Sequence, residues 1–591
     1  MNAINKNYTL ASLALLAGMT LASCSDDDLS NKNNSSSYIE TDADYIGKAV
    51  GNFTADEWYP GGKLGTTDNT GSTCYEDESP AIKADADLTS QFFIGEQLFE
   101  RQYTVNSAPF KGLGPASVRS SCLDCHPNYG HGKRMTNYKT SYGNGNGYLL
   151  VVYTPNTPGS NDGPYSSLVT GMPQTQAVSP FLPPIDENKI SIAWNTVSQM
   201  ETDEIPAMQF PDGEAFSLIY PEVTIPQDAF NTTPKPENYA VRLESTIGVI
   251  GVGLIDAIPS DSIAAQYAKE AAYYRTLGGD ITEYLSSSFW DESTKSMASS
   301  AYYPKFGKDG IVGGTHADGT KFNGEGLIKR YTYALTRGSL QDGPGANAIW
   351  NITNVSRKDR PYMYSTTAWA DCMAETPSVI SAIKADPTSP YYADGTEEGI
   401  KNAVKTLLSP KTNQFNNDIH NFEPEQSMDK FYAFMVWHRG LAIPRARNLN
   451  DATVQRGKEL FMQWHCDACH RAKWQTTDDN YITPDEIAGK KLPRFQNQTI
   501  YPYSDFVQHK LYMKNDIHGS WCRTTPLWGR GLSMVNTGSE DRLHDCRARN
   551  EVEAIMWHCY SKKSHAYSSA MNFYKASKAD RDAVVKFLRS I

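Results

Sequence analysis

The sequence predicts a mainly α-helical fold with long loops, built as two related units of which the first is enlarged by insertions. Three observations point there. Gly95-Glu96-Gln97-Leu98-Phe99 and Gly457-Lys458-Glu459-Leu460-Phe461 repeat a G-x-x-L-F pattern, each ahead of a C-x-x-C-H pattern. Val584, Val585, Phe587 and Leu588 form an amphipathic stripe on a closing segment, Ser577 to Ile591. Finally, 43 Gly, 32 Pro and 34 Tyr favour a loop-rich chain, and 591 residues exceed one ordinary core.

The chain opens with a leader. Lys6 precedes an apolar stretch from Leu10 to Leu21, closed by Leu21-Ala22-Ser23-Cys24. Residues 1–23 therefore read as a signal peptide, and Cys24 resembles the lipidated cysteine of bacterial lipoproteins. The run Asp26-Asp27-Asp28 resembles the signal that sends such proteins to the cell surface. The expectation is a chain anchored by acyl groups on Cys24 at a bacterial outer membrane, facing the surface or the periplasm. Residues 24–45, rich in Ser, Asn and Asp, read as a flexible tether. After the leader no apolar run approaches the ~20 residues that cross a bilayer.

Residues 46–448 form the first predicted unit. Its G-x-x-L-F glycine lies 27 residues before Cys122, against 9 between Gly457 and Cys466, so residues 102–120 are an extra loop. Residues 239–259 (YAVRLESTIGVIGVGLIDAIP) read as an apolar helix with interior glycines. Residues 302–325 and 385–398 read as loops, and the boundary falls near 445–452. The second unit, 449–591, opens with Asp451 as helix cap. A net charge of −12 argues against a nucleic-acid partner.

Cys122-Leu123-Asp124-Cys125-His126 and Cys466-Asp467-Ala468-Cys469-His470 carry the chemistry. C-x-x-C-H is the attachment sequence of c-type haem. Cys122, Cys125, Cys466 and Cys469 would form thioethers to two porphyrins, with His126 and His470 as axial ligands to iron. A thioredoxin-like pair needs no histidine there, and a zinc site needs further C-x-x-C or H-x-H spacings that the chain lacks. In cytochrome c folds a G-x-x-L-F helix packs beside the haem, so the two units read as cytochrome c-like haem domains. Cys74, Cys372, Cys522, Cys546 and Cys559 remain, enough for at most two disulfides, one of them expected near the C-terminus.

Further stretches carry a resemblance: Gly112-Leu113-Gly114-Pro115, Gly251 to Pro259, Tyr501-Pro502-Tyr503-Ser504-Asp505, Trp521 to Gly529, and His544-Asp545-Cys546-Arg547-Ala548. With the two haem motifs they resemble the di-haem oxidoreductases, relatives of bacterial di-haem cytochrome c peroxidase. Cys546 stands where that family has glycine. The resemblance implies a peroxidase-like enzyme in which the C-terminal haem passes electrons to an N-terminal haem that reduces hydrogen peroxide or meets another small oxidisable substrate. A donor protein or small reductant would supply the electrons. The family position makes His558 the second ligand of the C-terminal haem, with Met556 as rival; on one helix the two point to nearly opposite sides. His316 is a weak candidate at the first haem, where His131 reads as a rim or surface residue. Arg523 suits a haem propionate or, equally, a surface salt bridge. Trp194, Trp350 and Trp528 are candidates for an electron relay, or for packing. The peroxidase relatives hold a calcium ion between the haems, yet no ligand run here places one. The alternative reading is a non-catalytic electron-transfer lipoprotein, or an accessory to surface iron or haem handling.

Overall fold

A computed structural model describes residues 42–107, 111–139, 147–303, 305–307, 310–312, 327–338, 340, 348–357, 363–410, 425–479 and 489–591. The leader, Cys24 and His316 lie outside the described residues. Asp42, at the end of the expected tether, is buried and pairs with Arg445 at 3.1 Å.

Two helix pairs frame the molecule. In the first, α1 (Ala86–Glu100) starts where the Asp85 carboxylate accepts from the amides of Asp87 and Leu88. Along the chain follow α2 (Val252–Asp256), α3 (Ser260–Leu277) and α4 (Met428–Gly440), whose cap is Ser427. Helices α1 and α4 cross at Gly95, where any Cβ would overlap the Ala433 carbonyl and the Trp437 side chain. The second pair is α5 (Ala452–Gln463) and α7 (Lys578–Ser590), with α6 (Glu551–Trp557) between them in sequence. Asp451 caps α5 as expected, accepting from the Thr453 amide at 2.7 Å. Here Gly457 meets the Ala583 carbonyl and Phe587 in the same way. The glycine of each G-x-x-L-F is therefore a contact point that lets two backbones touch.

The fold is mixed rather than mainly α, with 36% helix and 13% strand. Its sheets are two-stranded ribbons. The longest are β1 (Tyr148–Tyr153), β2 (Ser191–Thr196), β3 (Ile219–Thr224) and β4 (Ala240–Ser245), paired β1 with β4 and β2 with β3. The short β5 (Gln508–Lys510) and β6 (Trp521–Arg523) pair later in the chain. The expected helix over 239–259 is thus a strand followed by the brief α2. Val241, Leu243 and Ser245 are buried in alternation with half-buried neighbours, a period of two that a helix cannot satisfy. Gly251 then adopts φ +67° and opens α2, while Gly253 abuts the Arg439 carbonyl at the end of α4.

The largest core joins α1 and α4 through Phe92, Phe99, Phe434 and Trp437 and continues to Leu254, Ile255 and Cys122. A second core holds Leu460, Trp464, Met556, Trp557 and Val584. Between the helix pairs, Thr367–Ala374, Pro377–Lys384 and Glu397–Leu408 enclose a core of their own around Trp369, Met373 and Val404. No described helix is long and apolar enough to cross a membrane.

Candidate haem sites

The first C-x-x-C-H motif is a single tight turn. Ser121 caps it, the His126 amide donates to the Cys122 carbonyl at 2.8 Å, and the histidine ring comes to lie 5.9 Å from that of Phe99 on α1. His126 Nδ1 lies 2.8 Å from the Ile247 carbonyl. A carbonyl only accepts, so Nδ1 carries the proton and Nε2 keeps its lone pair. Burial pushes this imidazole down to about 4, so it is neutral at pH 7.

The second motif repeats each of these features. The His470 amide donates to the Cys466 carbonyl at 3.0 Å, the ring lies 6.2 Å from Phe461 on α5, and Nδ1 is 3.0 Å from the Tyr503 carbonyl. Burial also pushes His470 down to about 4. Each motif therefore presents a neutral imidazole with one fixed tautomer and a free Nε2, the form that binds iron.

Around His470 opens a chamber of about 1450 Å³, lined by Cys466, Cys469 and the faces of α5, α6 and α7. His558, just after α6, enters it with Nδ1 tied to the Ala554 carbonyl at 2.6 Å, again leaving Nε2 free. It stands near enough to His470 to disfavour a charge there. Met556 points into the apolar core instead. His565 also borders the chamber, but Nε2 faces the Glu283 carbonyl at 2.9 Å and Nδ1 accepts from the Lys510 amide at 3.3 Å. Arg523 is 2% exposed, its Nε has no hydrogen-bond partner, and among the described residues it forms no salt bridge. Its Nη1 donates to the Arg330 carbonyl at 2.7 Å, and burial lowers the guanidinium to about 10. A buried cation in that state calls for an anion. Apolar walls, two imidazoles and this cation together suit a haem with its carboxylates.

Apart from Tyr333, the residues that line the chamber lie in the part of the chain that a family comparison matches. Residues 411–591 match the model of a di-haem oxidoreductase family. The family is described as "Di-haem oxidoreductase, putative peroxidase". Comparison with curated proteins and with solved structures gives no match.

Cys546 has φ +66°, the left-handed turn for which glycine is suited. The nine described cysteines are all free thiols, and the disulfide expected near the C-terminus is not formed among them. His131 is buried rather than at the surface: Nδ1 faces the Gly132 carbonyl at 2.8 Å and Nε2 the Tyr333 hydroxyl at 2.7 Å. Trp194 donates to the Met135 carbonyl on a ribbon edge, whereas Trp528 lines a smaller cavity of about 500 Å³ with Ile247, His131, Arg523 and Arg530. Among the described residues, one cluster of three metal-capable side chains occurs: Cys469, Asp505 and His509. Its single carboxylate does not suit calcium, which prefers several oxygens.

Sequence reading missed His438. It is 2% exposed on α4, neither ring nitrogen has a hydrogen-bond partner, and His126 is close enough to bias its charge. Superposing the two crossing glycines makes His438 the counterpart of Leu588, a residue that lines the second chamber. The signal was available in the repeat, had α4 been aligned with the closing helix.

Proposed function

We propose that this protein is a di-haem oxidoreductase that carries two covalently attached haems and acts as a peroxidase-like enzyme. Cys122 and Cys125 hold one macrocycle and Cys466 and Cys469 the other, each in a cytochrome c-like helix frame. The observation that carries the reading is the twin tether: Ile247 and Tyr503 accept from Nδ1 of His126 and His470, leaving Nε2 of each free for iron. When bound, haem iron supplies the redox chemistry, and the chain orients and tunes it.

At the second site His558, with Nδ1 tied to the Ala554 carbonyl, would hold the iron together with His470, an arrangement that suits electron transfer. Arg523 and the adjoining Arg530 hold haem carboxylates in the wall between the two cavities. The first site is the one that meets hydrogen peroxide, receiving electrons from the second, and a donor protein or small reductant feeds the second. Acylated Cys24 would tether the enzyme at the outer membrane.

The test uses protein matured in a host competent for cytochrome c assembly. Mass spectrometry should find two added macrocycles, falling to one in Cys122→Ala/Cys125→Ala and one in Cys466→Ala/Cys469→Ala. The intact protein should oxidise a reduced donor when peroxide is added, with one haem binding cyanide. Two inert, six-coordinate haems would instead mark an electron carrier.

A further inference from the structure

Tyr333 and His131 occupy the wall between the chamber and the smaller cavity. Tyr333 is 1% exposed and lines the chamber that holds His470 and His558. His131 lines the smaller cavity together with Ile247, whose carbonyl tethers His126. Arg523, Thr525 and Arg530 border both cavities, so the partition is one side chain thick there. The Tyr333 hydroxyl and His131 Nε2 meet at 2.7 Å across it.

The direction of that hydrogen bond is fixed. His131 Nδ1 faces the Gly132 carbonyl at 2.8 Å and must carry the proton, so Nε2 accepts and the phenol donates. Desolvation and the nearby Arg530 hold His131 well below its ordinary range, which keeps Nε2 unprotonated. The Tyr333 carbonyl accepts from the Arg523 amide at 3.0 Å and from Gln508 Nε2 at 3.2 Å, so the backbone of the tyrosine is pinned to β5 and β6. A buried phenol aimed at a neutral imidazole is a redox pair. Loss of an electron makes the phenol strongly acidic, and the acceptor for its proton is already in place.

Resting on the two-haem reading, we propose that Tyr333 relays electrons between the sites, with His131 taking and returning the phenolic proton. Tyr333 gives one electron to the oxidised first haem while its proton moves to His131 Nε2. The neutral phenoxyl then takes one electron from the reduced second haem, and the proton returns from His131. One electron has passed from the second site to the first, and both side chains end as they began. This gives to a tyrosine the part for which Trp194, Trp350 and Trp528 were the sequence candidates.

The experiment mixes fully reduced two-haem protein with hydrogen peroxide and follows oxidation of the second haem by stopped-flow absorbance. Tyr333→Phe keeps the ring and the backbone contacts, and should slow that oxidation at least about tenfold. His131→Leu removes the proton acceptor but leaves the phenol, and should slow it similarly. Wild-type transfer should slow in deuterated water, an effect lost in Tyr333→Phe, and freeze-quenched wild-type samples should show a tyrosyl radical. If the protein carries fewer than two macrocycles, the proposed function fails and the relay with it. If both macrocycles are present and Tyr333→Phe transfers within about twofold of wild type, the relay alone is overturned.

Discussion

The two C-x-x-C-H regions hold their histidines alike and wall them differently. Both follow a helix crossed at a glycine by a partner helix, and both tie Nδ1 to a backbone carbonyl. That holds although 27 residues separate glycine from cysteine in the first and 9 in the second. The tether geometry is therefore set by the helix crossing and not by loop length. The walls diverge at one aligned position, Leu588 against His438, and at His558, which enters the second chamber. On the two-haem proposal, the shared parts would orient a macrocycle, and the unshared parts would give its iron different neighbours.

The sharpest break in the comparison comes from His558. In haem-loaded protein, His558→Ala should abolish one low-spin signal in the paramagnetic spectrum and leave the other unchanged. His558→Met should keep the site low-spin and raise its reduction potential, because thioether ligation favours ferrous iron. An unaltered spectrum in the alanine variant would remove His558 from the iron and make the two sites alike.

Acid probes what the sites share. His126 and His470 titrate near 6.5 when unfolded and near 4 when folded, so between those values the unfolded chain binds more protons. The contribution of these two rings to the stability of the haem-free protein should fall as pH drops from 6.5 towards 4, by on the order of 3 kcal/mol per imidazole. Urea midpoints at pH 7 and pH 4.5 measure it. His126→Gln and His470→Gln should each remove a similar part of the slope. Unequal parts would mean that the two rings are not equivalently buried.

Gly95→Ala and Gly457→Ala test the crossings that position both tethers. A Cβ at either place meets a carbonyl of the partner helix, so each substitution should cost about 1–3 kcal/mol in a urea titration. Tolerance of one and not the other would show that only one helix pair is tightly apposed.

Much of this frame was legible in the sequence because its signals are local. C-x-x-C-H, the Asp451 cap and the stripe of Val584, Val585 and Phe587 each lie within a few turns of chain, and α5, α7 and the motif turns follow them. The error at 239–259 came from reading composition before period. Val241 and Leu243 alternate as a strand, and their pairing partners lie about 90 residues earlier, in β1. Tyr333 and His131 were out of reach for a related reason. They are 202 residues apart, and only the fold brings phenol to imidazole. His316 lies outside the described residues.

His438 offers the smallest effect and the most direct test of why the two walls differ. Without haem, its two buried nitrogens have no partner, which costs more than the apolar packing of Leu588 at the matching position. His438→Leu should therefore stabilise the haem-free protein by about 1–2 kcal/mol. In loaded protein the same substitution should shift the spectrum or potential of the first haem alone, because a polar neighbour has been taken from it. A stabilised apoprotein with an unchanged first haem would make His438 a buried cost with no contact to the macrocycle. The first site would then differ from the second only in lacking a counterpart of His558.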